Sequence, residues 1–360
     1  MIKHFVSLMC VFAAALTMQA QDVVKVAVGD TQDHGVTYSL PKTQIRVTVK
    51  ARCTTVKAGA YAQYAEKYLG LTDALLDDKT EWSISSVTLS PEAVADTSRT
   101  FHIVFNEKMP LPTFYFDAEG RLLSINREPG AVKRSAADEE TTDAVTEKKT
   151  VSAFNVMSEE LLKAGSKAKQ AEIAARQIFR IRESRLNLLT GEVDKMPADG
   201  ASFQIVMDNL KQQEDAYMQL FCGVTTETEV EREFIYMPME EEQGVILFRF
   251  SKHFGFADAD DLSGEPYTVS LTLLEDNRKV AERVDAKGKK LPPATGIAHC
   301  VAGKASVALI HKGKTLAEDN WQMGQFGHVE NLDKMHFLNK KTPASALFNP
   351  MTGAVTLFNN

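Results

Sequence analysis

Apolar and polar residues alternate strictly along one segment of the chain. Between Gln44 and Cys53, apolar side chains occupy every second position, and charged or hydroxyl-bearing side chains lie between them. Successive side chains of a strand point to opposite faces, so this pattern predicts a strand with one buried face. Similar patterns predict further strands at Trp82–Leu89, Thr100–Asn106, Phe114–Phe116 and Arg121–Ile125.

A short helix, Ala60–Leu69, interrupts this β-rich segment. Tyr61, Tyr64 and Tyr68 recur there at helical spacing, which makes them a candidate binding surface on which sugar rings would stack. The same stripe would also pack the helix on the sheet, with the hydroxyl groups reaching the rim. The packing interpretation is favoured, because tyrosine carries a large apolar ring beneath its hydroxyl group.

The character of the chain changes after residue 127. Residues 128–152 contain few large apolar side chains, which predicts a flexible polar linker that cannot offset its ordering entropy by burial. A helical segment, 153–222, follows, with amphipathic helices predicted at Lys167–Leu189 and Ser202–Phe221. Their short connection predicts an antiparallel helical hairpin.

The first helix of this hairpin is rich in arginine. Its arginines would either bind an anion or form a solvated face of ion pairs with the glutamates interleaved among them. The ion-pair interpretation is favoured. The residues are Arg176, Arg180, Arg182 and Arg185, with Glu172 and Glu183.

The last third of the chain returns to strands. They are predicted at Thr226–Met237, Val245–Lys252, Tyr267–Leu274, Ala305–His311, Ala346–Phe348 and Ala354–Phe358. The fold class is therefore α+β. Two β-rich, sandwich-like domains, 21–127 and 223–360, are expected to be joined by the linker and the hairpin.

Two local similarities connect these β-rich segments. The hairpin sequence from Phe116 to Gly120 resembles the one from Phe348 to Gly353, and the stretch after Gly35 resembles the stretch after Gly296. Each of the last two stretches leads into a strand. The similarities are consistent with a duplication of one β-rich unit.

The N-terminus has the pattern of a secretory signal peptide. A short positive region with Lys3 is followed by an apolar run, Phe5–Leu16, and by Ala20 at the expected cleavage site. The apolar run is too short for a transmembrane helix, which needs about 20 apolar residues. The sequence therefore predicts that residues 1–20 direct export and that the mature protein is not transmembrane.

The net charge and the cysteines argue against a nucleic-acid-binding protein and against a disulfide-rich or zinc-binding protein. The chain has 41 Lys and Arg against 48 Asp and Glu, a net charge of −7, which argues against binding to nucleic acid. Three of the four cysteines lie beyond the predicted signal peptide, and these three, Cys53, Cys222 and Cys300, are odd in number and widely spaced, which predicts neither a disulfide framework nor a zinc site. One disulfide between two of them stays open at this point.

No motif for catalysis stands out. The sequence has no Gly-x-Ser-x-Gly, no His-Glu-x-x-His and no glycine-rich phosphate loop, so no catalytic residue and no cofactor is assigned. His299 and Cys300 are adjacent, but neighbours on a strand point to opposite faces and cannot share a proton.

Two acidic features raise the question of a cation. Glutamates at every second position, Glu227–Glu233, would form a carboxylate row, which most often is a solvent face balanced by basic residues on neighbouring strands. The other is a candidate calcium site, formed by Asp258, Asp260, Asp261 and Glu265 around Gly264. Its spacing departs from the EF-hand pattern, so a tight acidic turn before a strand is the competing interpretation.

Four stretches resemble a domain-of-unknown-function family of secreted Bacteroidetes proteins. The main one is Gly-Ala-Tyr-Ala-Gln-Tyr-Ala-Glu-Lys-Tyr-Leu-Gly-Leu at 59–71, and the others are 38–41, 181–192 and 325–329. The resemblance implies no catalytic residue. It implies an address in the envelope of a Gram-negative cell, in the periplasm or at the cell surface.

Three functions follow from these expectations. The leading hypothesis is a non-enzymatic binding or scaffold protein of the cell envelope, with an envelope protein or a glycan as its partner. The alternatives are a hydrolase of envelope or dietary glycans that uses a carboxylate pair, and a calcium-dependent adhesion module.

Overall fold

The computed structural model describes residues 24–31, 33–106, 110–130, 157–197, 199–279 and 296–359. The predicted signal peptide, 1–20, and most of the predicted linker lie outside these residues. The strands are β1 Val24–Ala27, β2 Gly35–Lys57, β3 Lys79–Val104, β4 Thr113–Phe116, β5 Leu122–Ile125, β6 Val224–Tyr236, β7 Glu242–Ser251, β8 Gly255–Ala257, β9 Glu265–Glu275, β10 Ile297–His311, β11 Lys314–Leu332, β12 Ser345–Phe348 and β13 Val355–Asn359. The α-helices are α1 Ala65–Leu69, α2 Glu159–Lys163, α3 Lys167–Thr190 and α4 Gly200–Cys222.

Two sheets of long strands pack face to face. One has the order β3-β2-β6 and the other β11-β10-β9-β7-β8, with antiparallel pairing throughout. The predicted inward positions of β2, from Ile45 to Ala51, are fully buried in the core between these sheets. Val269, Val307 and Met323 line the opposite side of that core. The alternation in the sequence thus marks the buried face of the sandwich.

A third sheet, with the order β1-β4-β5-β12-β13, covers a second core. Its apolar side chains pack against the first residues of β2 and β10. Tyr38 and Cys300 of those strands are buried in the same cluster as Phe114 and Phe348 of the third sheet. The long hairpins and the short strands of this third sheet therefore share one continuous apolar cluster.

The predicted division into two sequential β-rich domains differs from the strand pairing. β6 of the C-terminal segment pairs with β2 of the N-terminal segment, and β12 pairs with β5. Strands of 21–127 and 223–360 thus share two of the sheets, and a boundary between them does not separate the cores. Periodicity reveals single strands, but not which partners they take.

The sequence similarities correspond to a structural repeat. A long hairpin followed by a short one occurs as β2-β3 with β4-β5 and again as β10-β11 with β12-β13. The amide of Ser39 donates to the carbonyl of Gly120 at 3.2 Å, and the amide of Cys300 donates to that of Gly353 at 3.0 Å. Ser39 and Cys300 occupy equivalent positions in the stretches that follow Gly35 and Gly296. Gly120 and Gly353 occupy equivalent positions in the two similar short hairpins.

Several strands differ from their predicted extents, among them β2 and β10, which begin at Gly35 and Ile297 and not at Gln44 and Ala305. The predicted strands Trp82–Leu89 and Thr100–Asn106 are parts of one strand, β3. Opposite the step from Ser39 to Pro41 the register shifts, so the polar residues near Asp96 bulge out of the pairing without ending the strand. β11 was not predicted, because glycine and polar residues interrupt its alternation. The turn before β11 contains a glycine, Gly313, which is a sequence signal for a hairpin. In the structure Lys312 and Gly313 both have positive φ, as a two-residue hairpin turn requires.

The helices form a separate layer with its own core. α3 and α4 match the predicted helices closely, and Ser166 and Asp199 cap their N-termini through side-chain oxygens. The cluster contains Ile178 and Phe221 together with Tyr61. The predicted helix Ala60–Leu69 is a 3₁₀ turn followed by α1, and it packs on α3 and α4 rather than on the sheet.

Candidate functional site: the helical arm

The tyrosine stripe mostly serves the helical core. Tyr61 is buried, its ring lies 5.8 Å from that of Phe221, and burial raises the pKa of its hydroxyl group. Tyr64 and Tyr68 are half-buried against the same cluster, with their ring centroids 6.2 Å apart. Only these two rings present a partly open surface, so the stripe as a whole is not a flat platform.

The acidic turn is held by side chains from elsewhere in the sheet. The Arg249 guanidinium donates to the carbonyl oxygens of Ala259 and Gly264 at 2.9 and 3.0 Å. Glu265 pairs with Lys312 at 2.6 Å and with the ring of His311 at 3.2 Å. Asp261 accepts from the amide of Ser263, and this hydrogen bond lowers the pKa of its carboxyl group.

These contacts spread the four predicted calcium ligands over different partners. Asp258, Asp260, Asp261 and Glu265 are all exposed. Within the described ranges, no group of three or more histidine, cysteine or acidic residues is arranged to hold a metal ion. Calcium binding at this turn stays a prediction.

The carboxylate row on β6 faces basic residues on β2. Arg46 pairs with Glu233, Lys50 with Glu231 at 3.2 Å, and Arg52 with Glu229 at 3.1 Å. The interpretation of this row as a balanced solvent face is therefore confirmed.

Cys53, Cys222 and Cys300 are free thiols in the structure. Cys300 is buried and donates through Sγ to the carbonyl of Gly324 at 3.3 Å, and burial raises its pKa. His299 and Cys300 both lie on β10, where successive side chains alternate, so the expected separation of the two holds.

The outer half of the helical hairpin contains no buried side chain. Burial in α3 ends at Ile181 and in α4 begins at Ala216. We call the segments Arg182–Thr190 and Gly200–Asp215 the helical arm. At about 1.5 Å per residue, its α4 side is about 24 Å long.

Large apolar side chains are exposed on the arm and at its base. Leu186 is 58% exposed, Leu189 63% and Ile205 62%. Phe179, one turn before the arm, is 51% exposed. Single exposed leucines are common on protein surfaces, but a group of this kind on one projecting element is typical of an interaction site.

An ion-pair cluster locks the two helices of the arm together. Glu214 of α4 accepts from Arg182 at 2.6 Å and from Arg185 at 2.5 Å. Burial raises the pKa of the Glu214 carboxyl, but the hydrogen bonds from the two arginines outweigh it, and the net pKa is lowered. The favoured ion-pair interpretation is confirmed for Arg176, which pairs with the interleaved Glu172, whereas Arg182 and Arg185 pair with Glu214 of the other helix and not with Glu183.

A second polar arrangement was missed from the sequence. On neighbouring strands, Thr37 Oγ1 lies 2.7 Å from Nδ1 of His102, and Nε2 of His102 lies 3.0 Å from Oδ2 of Asp33. A hydroxyl, an imidazole and a carboxylate in this order are the parts of a nucleophile–base–acid triad. All three side chains are exposed. Only the register of β2 against β3 brings them together, so periodicity could not reveal them.

Two shallow cavities lie near the third sheet. One of about 300 Å³ is lined by Gly35, Thr37 and Phe116 among others, and thus adjoins the Thr37–His102 pair. The other, of about 550 Å³, is lined by residues including Leu111, Phe337 and Lys340. Neither has two carboxylates in its lining, so neither is the cleft that the glycan-hydrolase alternative requires.

The helices of the described segments include none that is long and apolar enough to cross a membrane. A family model described as "Domain of unknown function (DUF4831)" matches residues 34–356. No curated protein and no solved structure matches the chain.

Proposed function

The chain belongs to the DUF4831 family, and from this premise we propose that it is an exported, non-enzymatic binding or scaffold protein of a bacterial cell envelope. The observation that carries the proposal is the helical arm, whose apolar side chains stay exposed although they lie on well-formed helices. The signal-peptide pattern of residues 1–20 supports export. The resemblance to secreted Bacteroidetes proteins supports an address in the periplasm or at the cell surface.

The sandwich supplies a rigid base for such an arm. α4 joins β6 directly, and the amide of Tyr61 donates to the carbonyl of Leu220 at 2.7 Å next to that junction. The arm is therefore fixed at its inner end and open at its outer end. A rigid element that carries apolar anchors loses little conformational entropy on binding, which favours affinity.

Site-specific photo-crosslinking in cells tests this proposal. A photoreactive residue at Leu186 or at Ile205 should give discrete protein adducts in the envelope fraction. The matched control is Leu262, which is 82% exposed but lies in the acidic turn of the sandwich, far from the arm in sequence. Equal adducts at Leu262, or none at either arm position, would contradict the proposal.

A specific observation also favours a second candidate, ester or amide hydrolysis. Thr37 Oγ1 would attack a carbonyl carbon, His102 would take the hydroxyl proton at Nδ1, and Asp33 would stabilise the imidazolium at Nε2. His102 would then give this proton to the leaving alcohol or amine as its bond to the carbonyl carbon breaks, and water would hydrolyse the acyl ester on Thr37. The adjoining cavity of about 300 Å³ would receive the acyl group. The competing interpretation is a cross-strand polar pair that only supports the sheet.

Turnover of a chromogenic acetyl ester separates these two interpretations. An enzyme would lose activity with Thr37→Ala and keep part of it with Thr37→Ser. Thr88→Ala is the control, because Thr88 is an exposed threonine of β3, away from His102 on the same strand. Turnover that is unchanged by Thr37→Ala would exclude Thr37 as the nucleophile.

A further inference from the structure

One side of the hairpin carries apolar and charged side chains from both helices. On α3 they are Phe179, Glu183 and Leu186, which are four and three residues apart and so share one face of the helix. On α4 they are Met207, Lys211 and Met218, which are four and seven residues apart. We call these six residues the arm face.

The contacts of Arg182 show that both stripes lie on the same side. Its guanidinium carbon lies 5.9 Å from the centroid of the Phe179 ring, and its Nη2 lies 3.8 Å from the sulfur of Met218. The same guanidinium is ion-paired with Glu214 across the hairpin. Phe179 and Met218 therefore flank one arginine. The other residues of the arm face lie about one to three helical turns from Phe179 on α3 or from Met218 on α4, on the same side of each helix.

The arm face combines open apolar surface with two unmatched charges. Phe179 and Leu186 are more than half exposed, and Met207 and Met218 are half-buried. Glu183 and Lys211 are exposed, and neither has an ion-pair partner among the residues that the structure describes. The acidic residue lies on α3 and the basic residue on α4, so the face has one charge of each sign beside its apolar side chains.

We propose that the arm face binds the arm face of a second copy of this chain, so that two hairpins form a four-helix bundle. This inference rests on the proposed function, and names the partner of one side of the arm. A two-fold axis along the hairpin places α3 of one copy against α4 of the other. Neighbouring helices of the bundle then run antiparallel, which is the ordinary arrangement of four-helix bundles.

The charges make this pairing self-complementary. Under two-fold symmetry a contact between residues i and j occurs twice. Glu183 of each copy then lies within one helical turn of Lys211 of the other, which the two long side chains can span, and the apolar side chains beside them are covered. A surface that carries complementary charges at reciprocal positions is expected for an isologous dimer.

Sedimentation velocity of the purified chain over a concentration series tests the inference. The wild-type protein should dimerise. Leu186→Glu should weaken the dimer by about tenfold or more, because it places a charge in the apolar centre. Leu262→Glu, which adds the same charge outside the arm, should leave the dimer unchanged, and circular dichroism should show native helix content in both variants.

A charge exchange gives the sharper result. Glu183→Lys and Lys211→Glu should each weaken the dimer, because each sets like charges against each other across the two-fold axis, and the double exchange should restore it. A protein that is monomeric at every concentration, a dimer that Leu186→Glu leaves intact, or a double exchange without rescue would overturn the inference.

These outcomes are distinguishable from failure of the proposed function. Mass spectrometry of the adducts at Leu186 identifies either this chain or another protein. Adducts with a different protein alone would overturn self-association while leaving the binding function in place. The absence of every adduct at the arm would remove the proposed function itself.

Discussion

The hydroxyl group of Tyr38 donates a hydrogen bond of 2.9 Å to the carbonyl oxygen of Ala298. The two residues are 260 positions apart and lie near the beginnings of β2 and β10, so this bond connects the two halves of the structural repeat. Tyr38 is buried, and burial raises the pKa of its hydroxyl well above the ordinary value, which keeps it a neutral donor.

Tyr38→Phe removes this donor while keeping the ring. The carbonyl of Ala298 is then left without this partner in a buried setting, and the free energy of unfolding should fall by about 1–2 kcal/mol. Urea denaturation measures the change. Tyr64→Phe, which alters a half-buried hydroxyl in the helical layer, is the control and should have a smaller effect. An equal decrease in the free energy of unfolding in both variants would contradict a specific stabilising role of the hydrogen bond between Tyr38 and Ala298.

Gly353→Ala and Gly120→Ala form a matched pair. Both glycines have positive φ, of 74° and 76°, so both variants carry the strain of a left-handed residue, about 1 kcal/mol. A Cβ at Gly353 would also lie 2.9 Å from Cδ of Pro41, whereas one at Gly120 would meet nothing within 4 Å. Gly353→Ala should therefore be the more destabilising, by about 1–3 kcal/mol. Similar melting temperatures would contradict this.

The Glu214 cluster should make the arm sensitive to acid. Because the folded-state pKa of Glu214 is lowered, its contribution to stability is present above the ordinary glutamate pKa of about 4.3 and is lost as the pH falls through the folded-state value. Glu214→Gln should cost about 1 kcal/mol at neutral pH, and the difference from wild type should shrink below about pH 4.

Thermal unfolding between neutral and acid pH measures this effect. Asp215→Asn is the control, because Asp215 is exposed and has no ion pair within the described part of the chain. A difference between Glu214→Gln and wild type that stays constant with pH would rule out an ionic origin.

Tyr61 and Tyr68 should respond differently to truncation. Tyr61→Ala removes a buried ring from the helical core and should cost about 3 kcal/mol or more. Tyr68→Ala, at the half-buried end of the stripe, should cost much less. A glycan that raises the melting temperature of wild type but not of Tyr68→Ala would support the binding interpretation of the stripe.

A calcium titration separates the two interpretations of the acidic turn, and the tight-turn interpretation predicts that calcium leaves the melting temperature unchanged. Arg249 already donates to two carbonyl oxygens of the acidic turn, and Glu265 is already paired with Lys312. A ligand that binds only the folded protein must stabilise it. An increase in melting temperature with millimolar calcium, reversed by a chelator and absent in Asp261→Asn, would therefore establish a calcium site.

Some of the fold could be predicted because it depends on local rules. The alternation from Gln44 to Cys53 follows from the two faces of a strand, and the buried positions Ile45 to Ala51 agree with it. The helices of the hairpin were predictable from their apolar stripes and from capping residues such as Asp199. The hairpin before β5 was predictable because Gly120 stands where the chain needs positive φ.

The rest depends on contacts between distant segments. Nothing local in β6 or β12 indicates that these strands pair with β2 and β5, because an alternating strand accepts many partners. The Thr37–His102–Asp33 arrangement arises only from the register of β2 against β3.

The arm face has the same origin. The sequence by itself determined the two amphipathic helices and their charged residues. Only the tertiary structure decided that burial stops at Ile181 and Ala216, because the layer of α1 and α2 reaches no further along the hairpin. The apolar residues beyond that limit remain open to a partner, since burial is a property of the neighbours that a residue meets and not of the residue alone.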